Sequence, residues 1–360
     1  GQVFNTHVAL PEAGEKAWEA LGEPDESKEE NIKIGQGLAI GLMSYGRMTF
    51  LHDTSRCYVK LESDGSALIR SGIPDLGAGQ ISSLCQIVSE ELGVPMSRIK
   101  IYHSDTALTP LAGTTTATRQ CYMSGNATLK AAREVRGRIL KKAAEMLIVN
   151  QNNLDIVDEN VVVTYDTAQS IPLVKVIKAC EAEGMELFCE AQFNAPFTSV
   201  PDLSNMRGTT HPDFTFGAQA AEVAVDIETG KVKVTKIVTC YDIGKAINVA
   251  AVEGQMEGGS IYGMGYAMFE NYELEKGVPK TLSFAEYRIP TSLDAPEVKT
   301  IVLESGGGLG PYGAKGIGEP ACSIITPAIL NAIYNAVGVR IKSLPVTPEK
   351  ILQGLKERAL

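Results

Sequence analysis

Alternating apolar and polar residues mark two hairpins in this chain. In the first, Tyr58-Val59-Lys60-Leu61-Glu62 alternates, Asp64-Gly65 is a two-residue turn signal, and Ala67-Leu68-Ile69-Arg70 returns. In the second, Glu222-Val223-Ala224-Val225-Asp226 runs out, Thr229-Gly230 turns, and Lys231 to Val238 returns. Each hairpin leads into a glycine-bearing loop and then a helix. After the first, Asp75 to Gln80 is the loop. Ile81, Leu84, Cys85, Val88 and Leu92 then recur at helical spacing, with Gly93 as a stop. After the second come the loop Tyr241 to Asn248 and a glycine-rich helix from about Ala250 to Met268.

The order hairpin, glycine loop, helix therefore occurs twice. This predicts an α+β fold made of two similar α+β subdomains. We place a lead-in segment at 1–31, the first subdomain at 32–190 and the second at 191–360. The same reasoning predicts a short helix from Pro11 to Leu21 and a long one over Gln120–Val149. It gives a strand over Ile156–Val163 and a helix over Leu173–Ala182. Residues 191–216, polar and proline-dotted, read as loop. The helix near the C-terminus should be capped by Thr326, with Pro327 at its first position, the stripe Ala328, Ile329, Ala332, Ile333, Ala336 and Val337, and Gly338 at its end.

Charge narrows the function classes. The chain of 360 residues carries a formal charge of −10, and no long Lys/Arg run offers a phosphate-binding face, which argues against nucleic acid. The densest basic group, Arg133, Arg136, Arg138, Lys141 and Lys142, has the spacing of a solvated helix face. No apolar run reaches the roughly 20 residues a membrane span needs, and residues 1–20 lack a secretory pattern. A start at Gly1 fits a tag remnant or a cut from a longer polypeptide. The seven cysteines are odd in number and widely spaced, without C-x-x-C, so a reduced, cytoplasmic setting is expected. His7, His52, His103 and His211 form no metal-binding spacing, and no metal ligand is assigned.

Four segments carry candidate chemistry. Gly77-Ala78-Gly79-Gln80 stands where a strand gives way to a helix, so its amides can approach a polar ligand; a tight turn is the alternative. In Ala112 to Gln120, four threonines and Arg119 precede a helix. They read as a phosphate or pterin-edge cradle or as a polar cap. Asp242 to Asn248, with Glu253-Gly254-Gln255 beyond it, says little alone. The fourth, Gly306 to Pro320, holds seven glycines between 306 and 318 and ends on Glu319. So much glycine is costly in chain entropy and makes sense if the backbone must lie flat against a bulky ligand. Beside apolar Ile317, Ala321 and Ile324, Glu319 can serve as a general base. A flexible linker with an exposed acid is the other reading.

Gly313-Ala314-Lys315-Gly316-Ile317-Gly318-Glu319-Pro320 resembles the catalytic glutamate loop of the xanthine dehydrogenase/aldehyde oxidase family of molybdenum hydroxylases. Gln86 to Val94, Asp105-Thr106, Thr118-Arg119, Gly125-Asn126-Ala127, Asp242-Ile243-Gly244, Glu253 to Gly259, Tyr287-Arg288-Ile289-Pro290 and Leu344 to Pro348 agree in the same order. The resemblance covers roughly residues 30–355. It implies molybdopterin, in some members as the cytosine dinucleotide, and oxidative hydroxylation of a purine, aldehyde or N-heterocycle with Glu319 as base. It implies pterin contacts from Thr116, Ala117, Thr118, Arg119 and Gln120, with Ala117 nearest the metal, and from Asn248 and Gln255. Gly316 and Gly318 would bring the loop close to the metal site. It implies partners too: a first molybdopterin-binding half, 2Fe-2S and FAD modules, and an oligomeric assembly.

One position departs from the family. Where it has glutamine between the glycines of the first loop, this chain has Ala78, and Gln80 follows two residues later. A cofactor-free binding or assembly module is the competing reading, discriminated by metal and pterin analysis. A nicotinamide-dependent dehydrogenase is disfavoured, because the first loop lacks the third glycine of the dinucleotide fingerprint.

Overall fold

Strand-period segments become strands and helix-period segments become helices in a computed structural model that describes residues 2–4, 6–47, 53–196, 199–205 and 207–359; His52 lies outside them. From the N-terminus, α1 (Leu10–Leu21) precedes the long strand β1 (Ile32–Tyr45). The first hairpin is β2 (Thr54–Leu61) and β3 (Ala67–Ser71), followed by α2 (Gln80–Leu92), β4 (Ile99–His103) and α3 (Gln120–Leu147). A small sheet follows, of β5 (Leu154–Val157), β6 (Asn160–Val163) and β7 (Asp166–Pro172), then α4 (Leu173–Ala182) and β8 (Phe188–Asn194). The second hairpin is β9 (Asp213–Asp226) and β10 (Val232–Asp242). After it come α5 (Val249–Met268), the two-residue strands β11 (Leu274–Glu275) and β12 (Val278–Pro279), and β13 (Glu297–Leu303). The chain closes with α6 (Pro320–Ser323), α7 (Ile325–Val337) and α8 (Pro348–Ala359).

The duplication is present, and it extends further than the sequence indicates. One sheet has the order β4-β3-β2-β8 and the other β13-β10-β9-β1. In each, the second hairpin strand pairs in parallel with the strand that follows the helix: β3 with β4, and β10 with β13. A helix is the usual crossover between parallel strands. The fourth strand is antiparallel in both. In the first unit it comes last (β8) and in the second it comes first (β1), so the two units are circular permutations of one another.

This corrects the boundary at residue 32. β1 lies in the 32–190 segment but completes the sheet of the second unit, pairing with β9 from Ile32↔Asp226 to Tyr45↔Asp213. Residues 191–216 are also less loop-like than expected, since they hold the end of β8 and the start of β9. Ile156–Val163 is two strands, β5 and β6, turning at Asp158-Glu159.

Apolar faces close both layers. In the first unit Val88 from α2, Ala131, Val135 and Ile139 from α3, and Val59 and Ile69 from the sheet are wholly buried; each large aliphatic among them contributes roughly 1.5–3 kcal/mol. In the second unit α7 buries Ala328, Ile329, Ala332 and Ile333. It lies so close to β1 that a Cβ on Gly37 would stand 2.2 Å from the Ala332 nitrogen, and one on Gly35 2.3 Å from its oxygen. Thr326 does not cap this helix: α7 starts one residue earlier, and the Thr326 hydroxyl donates to the Gly263 carbonyl at 2.9 Å. Pro320–Val337 is long and apolar enough to cross a membrane by length and composition, contrary to expectation, but half of it is buried in this core.

The basic group on α3 is not a free face. Arg136 pairs with Asp155, Arg138 donates to the Glu186 and Phe188 carbonyls, and Lys142 pairs with Glu145 and Glu183. These cations tie α3 to the elements around it.

Candidate functional site

All four flagged segments leave the carboxyl ends of the parallel strands. Residues 72–79 follow β3, 104–119 follow β4, 243–248 follow β10, and 304–319 follow β13. That is where open sheets with parallel strands hold ligands. The permuted duplication turns the two sets of loops toward each other, and they enclose one cavity of about 430 Å³. Gly77, Ala78 and Gln80 line it from the first loop, and Thr116, Thr118, Arg119 and Gln120 from the second. Asn248 and Gln255 line it from the third and from α5, and Gly316, Gly318 and Glu319 from the fourth.

Gly79 and Ala117 stand behind the wall. Gly79 is the residue before α2, at φ 73. Ala117 is also left-handed, at φ 51, and its carbonyl accepts from the Gly46 nitrogen at 2.9 Å. Its neighbours Thr116 and Thr118 are the ones that reach the cavity.

Glu319 does not point into open solvent. It is half-buried, and its Oε1 accepts from the Thr118 nitrogen at 3.2 Å. Gly318 donates its N–H to Thr118 Oγ1 at 3.1 Å. The two loops touch so closely that a Cβ on Gly316 would sit 2.3 Å from the Thr118 carbonyl oxygen. The Gly316 carbonyl in turn accepts from Thr215 Oγ1 at 2.6 Å. Glycine is required here because the threonine loop occupies the space a side chain would take.

The remaining side chains sort by whether their polar groups are free. Arg119 is fully buried. Its Nε and Nη2 bond Asp53 at 2.9 and 2.7 Å, Nη1 donates to the carbonyls of Ala112 and Thr114, and Nη2 also donates to that of Thr54. All five donors of the guanidinium are spent. This corrects the expectation of a guanidinium fork for the ligand: Arg119 borders the cavity but pins the threonine loop. Gln120 is used internally, donating to Thr115 Oγ1 and accepting from Ser124. The Asn248 side chain caps α5 by accepting from the Ala251 nitrogen at 3.1 Å. Gln80 is different. At the first position of α2, its Oε1 is buried without a hydrogen-bond partner among the described residues. A buried amide oxygen left unpaired costs about 1–3 kcal/mol, which marks Gln80 as a side chain at the cavity wall whose acceptor the protein does not satisfy.

The sequence reading missed the apolar half of the wall, including Ile73, Leu84, Ile87, Ile247 and Val252. Leu84 carried a signal as part of the predicted helix stripe, but that stripe could not say which turn faces the site. Cys121 also lines the cavity; burial pushes its thiol up to about 11, so it stays protonated at neutral pH. Among the described residues, no group of three or more His, Cys, Asp or Glu side chains could hold a metal ion. Apolar walls, an unpaired amide and glycine-backed loops suit a planar heterocycle with polar edges.

Comparison with known proteins agrees with that chemistry. The family model for the molybdopterin cofactor-binding domain matches residues 12–296. The putative xanthine dehydrogenase molybdenum-binding subunit of Escherichia coli K12 is 28% identical over 96% of this chain and 46% of its own length. A probable xanthine dehydrogenase subunit of Bacillus subtilis is 31% identical over 91% of this chain and 43% of its own. The crystal structure of quinoline 2-oxidoreductase from Pseudomonas putida 86 superposes with a TM-score of 0.80 at 25% identity, covering 96% of this chain and 44% of that one. The chain thus spans between about a third and a half of the length of the curated relatives it matches. By its family match, its fold and a cavity whose free groups suit the pterin, the chain belongs to the molybdopterin cofactor-binding domain family, and its cofactor is molybdopterin.

Proposed function

We propose that this chain forms one half of the catalytic subunit of a molybdenum hydroxylase that oxidises a small N-heterocycle, purine or aldehyde. The observation that carries this reading is the convergence of all four loops on one cavity with Glu319 in its wall. Relatives named for xanthine and for quinoline support an N-heterocyclic substrate. When bound, the molybdenum on its pterin supplies the redox change of the hydroxylation.

The chain's own residues then bind, orient and take up a proton. Gln80 and Gln255 present carboxamides to the pterin edge, and Gln80 stands in for the glutamine that Ala78 replaces. Thr116 and Thr118 add hydroxyls, and Gly316 and Gly318 give the backbone close access. Glu319 is the general base. Thr118 donates to Oε1, while Oε2 has no protein donor among the described residues and is free to accept a proton. The apolar residues opposite keep bulk water from the site.

The reading includes a first molybdopterin-binding half that closes the cavity, and 2Fe-2S and FAD modules that carry electrons away. Seven free thiols fit a reducing, cytoplasmic compartment. Co-expression with these partners should yield a complex with equimolar molybdenum and pterin, measured by mass spectrometry of the metal and by pterin fluorescence after acid oxidation. A well-folded complex without either would leave an assembly module instead. In the same complex Gln80→Leu, which removes the unpaired acceptor, should weaken pterin retention about tenfold. Unchanged retention in an exchange assay would remove Gln80 from the contact set.

A further inference from the structure

Seven glycines between 306 and 318 leave the wall that carries Glu319 with little conformational preference of its own. What fixes it lies directly beneath. Lys315 Nζ is 2.8 Å from Asp242 Oδ2, and both side chains are wholly buried. The other oxygen of Asp242 accepts from the nitrogens of Gly244 at 3.1 Å and Gly306 at 3.3 Å. One carboxylate therefore holds the beginning of the glycine wall at Gly306, its far end at Lys315 and the facing loop at Gly244. Backbone bonds reinforce the junction: the Lys315 nitrogen donates to the Ile243 carbonyl at 2.8 Å, and that of Lys245 to Gly313 at 3.2 Å. Four residues beyond Lys315 stands Glu319.

Stability is a poor account of this pair. Desolvating two charges costs about what their attraction returns, and apolar side chains of equal volume would serve a core as well. Geometry is the better account, because a chain so rich in glycine has little conformational preference of its own and depends on such fixed partners to hold one shape. We propose that Asp242 is a positioning residue for Glu319. Acting through Lys315, Gly306 and Gly244, it holds Gly316 to Glu319 against Thr118 so that the carboxylate faces the cavity. This rests on the reading of Glu319 as the base.

Two variants test it in the assembled, cofactor-loaded enzyme. Asp242→Asn keeps an acceptor for Gly244 and Gly306 but removes the charge opposite Lys315. The double variant Asp242→Leu/Lys315→Met removes both charges at similar volume, so no buried charge is stranded, but it takes the acceptor from the buried nitrogens of Gly244 and Gly306 and so costs a modest amount of stability. Both should lower kcat by about 10- to 100-fold with KM little changed, as for a displaced catalytic group. Both should also speed deuterium uptake at the Thr118 amide and across residues 306–319 by about tenfold, with uptake in β9 and α7 unchanged. Full kcat and slow exchange in the double variant would overturn the proposal, because the pair would then matter only for charge balance. Uptake rising throughout the chain would overturn it too. Wild-type turnover in Glu319→Gln would instead remove the base assignment and leave the exchange result standing.

Discussion

Glu319→Gln in the assembled enzyme should lower kcat by about 10²- to 10⁴-fold, the range a positioned general base contributes, while molybdenum and pterin content stay at the wild-type level. The substitution changes one atom. The glutamine Oε1 can still accept from the Thr118 nitrogen, as Glu319 does at 3.2 Å, and the Gly318 contact to Thr118 Oγ1 does not involve the side chain. The wall therefore keeps its shape and the cavity its volume. What disappears is the carboxylate oxygen that has no protein donor among the described residues, and with it the site of proton uptake in the proposed mechanism. Turnover at saturating substrate, measured beside the metal content of the same preparation, separates loss of the base from loss of the cofactor. Near-normal kcat would sink the assignment.

The second large effect is on stability. Arg119→Met should destabilise the chain by about 3–5 kcal/mol, because breaking a buried pair from one side leaves the other charge uncompensated. Asp53 would remain in the interior at 3% side-chain exposure with its guanidinium gone. The carbonyls of Ala112, Thr114 and Thr54 would each lose their donor. Urea unfolding should show the lower midpoint. Adding Asp53→Asn should recover part of the loss, since it removes the stranded charge. The threonine loop would be released from its anchor, so pterin retention should fall along with stability. A midpoint within error of wild type would mean that this pair does not hold the loop.

Two buried ion pairs thus stand behind opposite walls of one cavity, Asp53–Arg119 behind the threonine loop and Asp242–Lys315 behind the glycine wall. Both walls need such anchors, because hydroxyl-rich and glycine-rich chains bury little apolar surface with which to hold themselves.

The duplicated hairpin, loop and helix were legible from residues alone. Alternation, the turn pairs Asp64-Gly65 and Thr229-Gly230, and the stop at Gly93 act over a few positions, so their meaning survives without knowledge of the rest of the chain. Three of the four chemical segments were legible for the same reason, since runs of glycine or threonine beside a helix start are local signals, whereas Asp242 to Asn248 said little alone. The sequence could not say which strand completes each sheet. β1 and β8 occupy equivalent edges from opposite ends of the chain order, and edge pairing depends on which surfaces meet after folding. Nor could it tell a ligand-facing arginine from a buried anchor, because Asp53 is 66 positions from Arg119 and Asp242 is 73 from Lys315. Local chemistry named the parts of the site. Their roles were decided by long-range packing, which spends some polar groups on the protein itself and leaves others, such as the Gln80 oxygen, without a partner among the described residues.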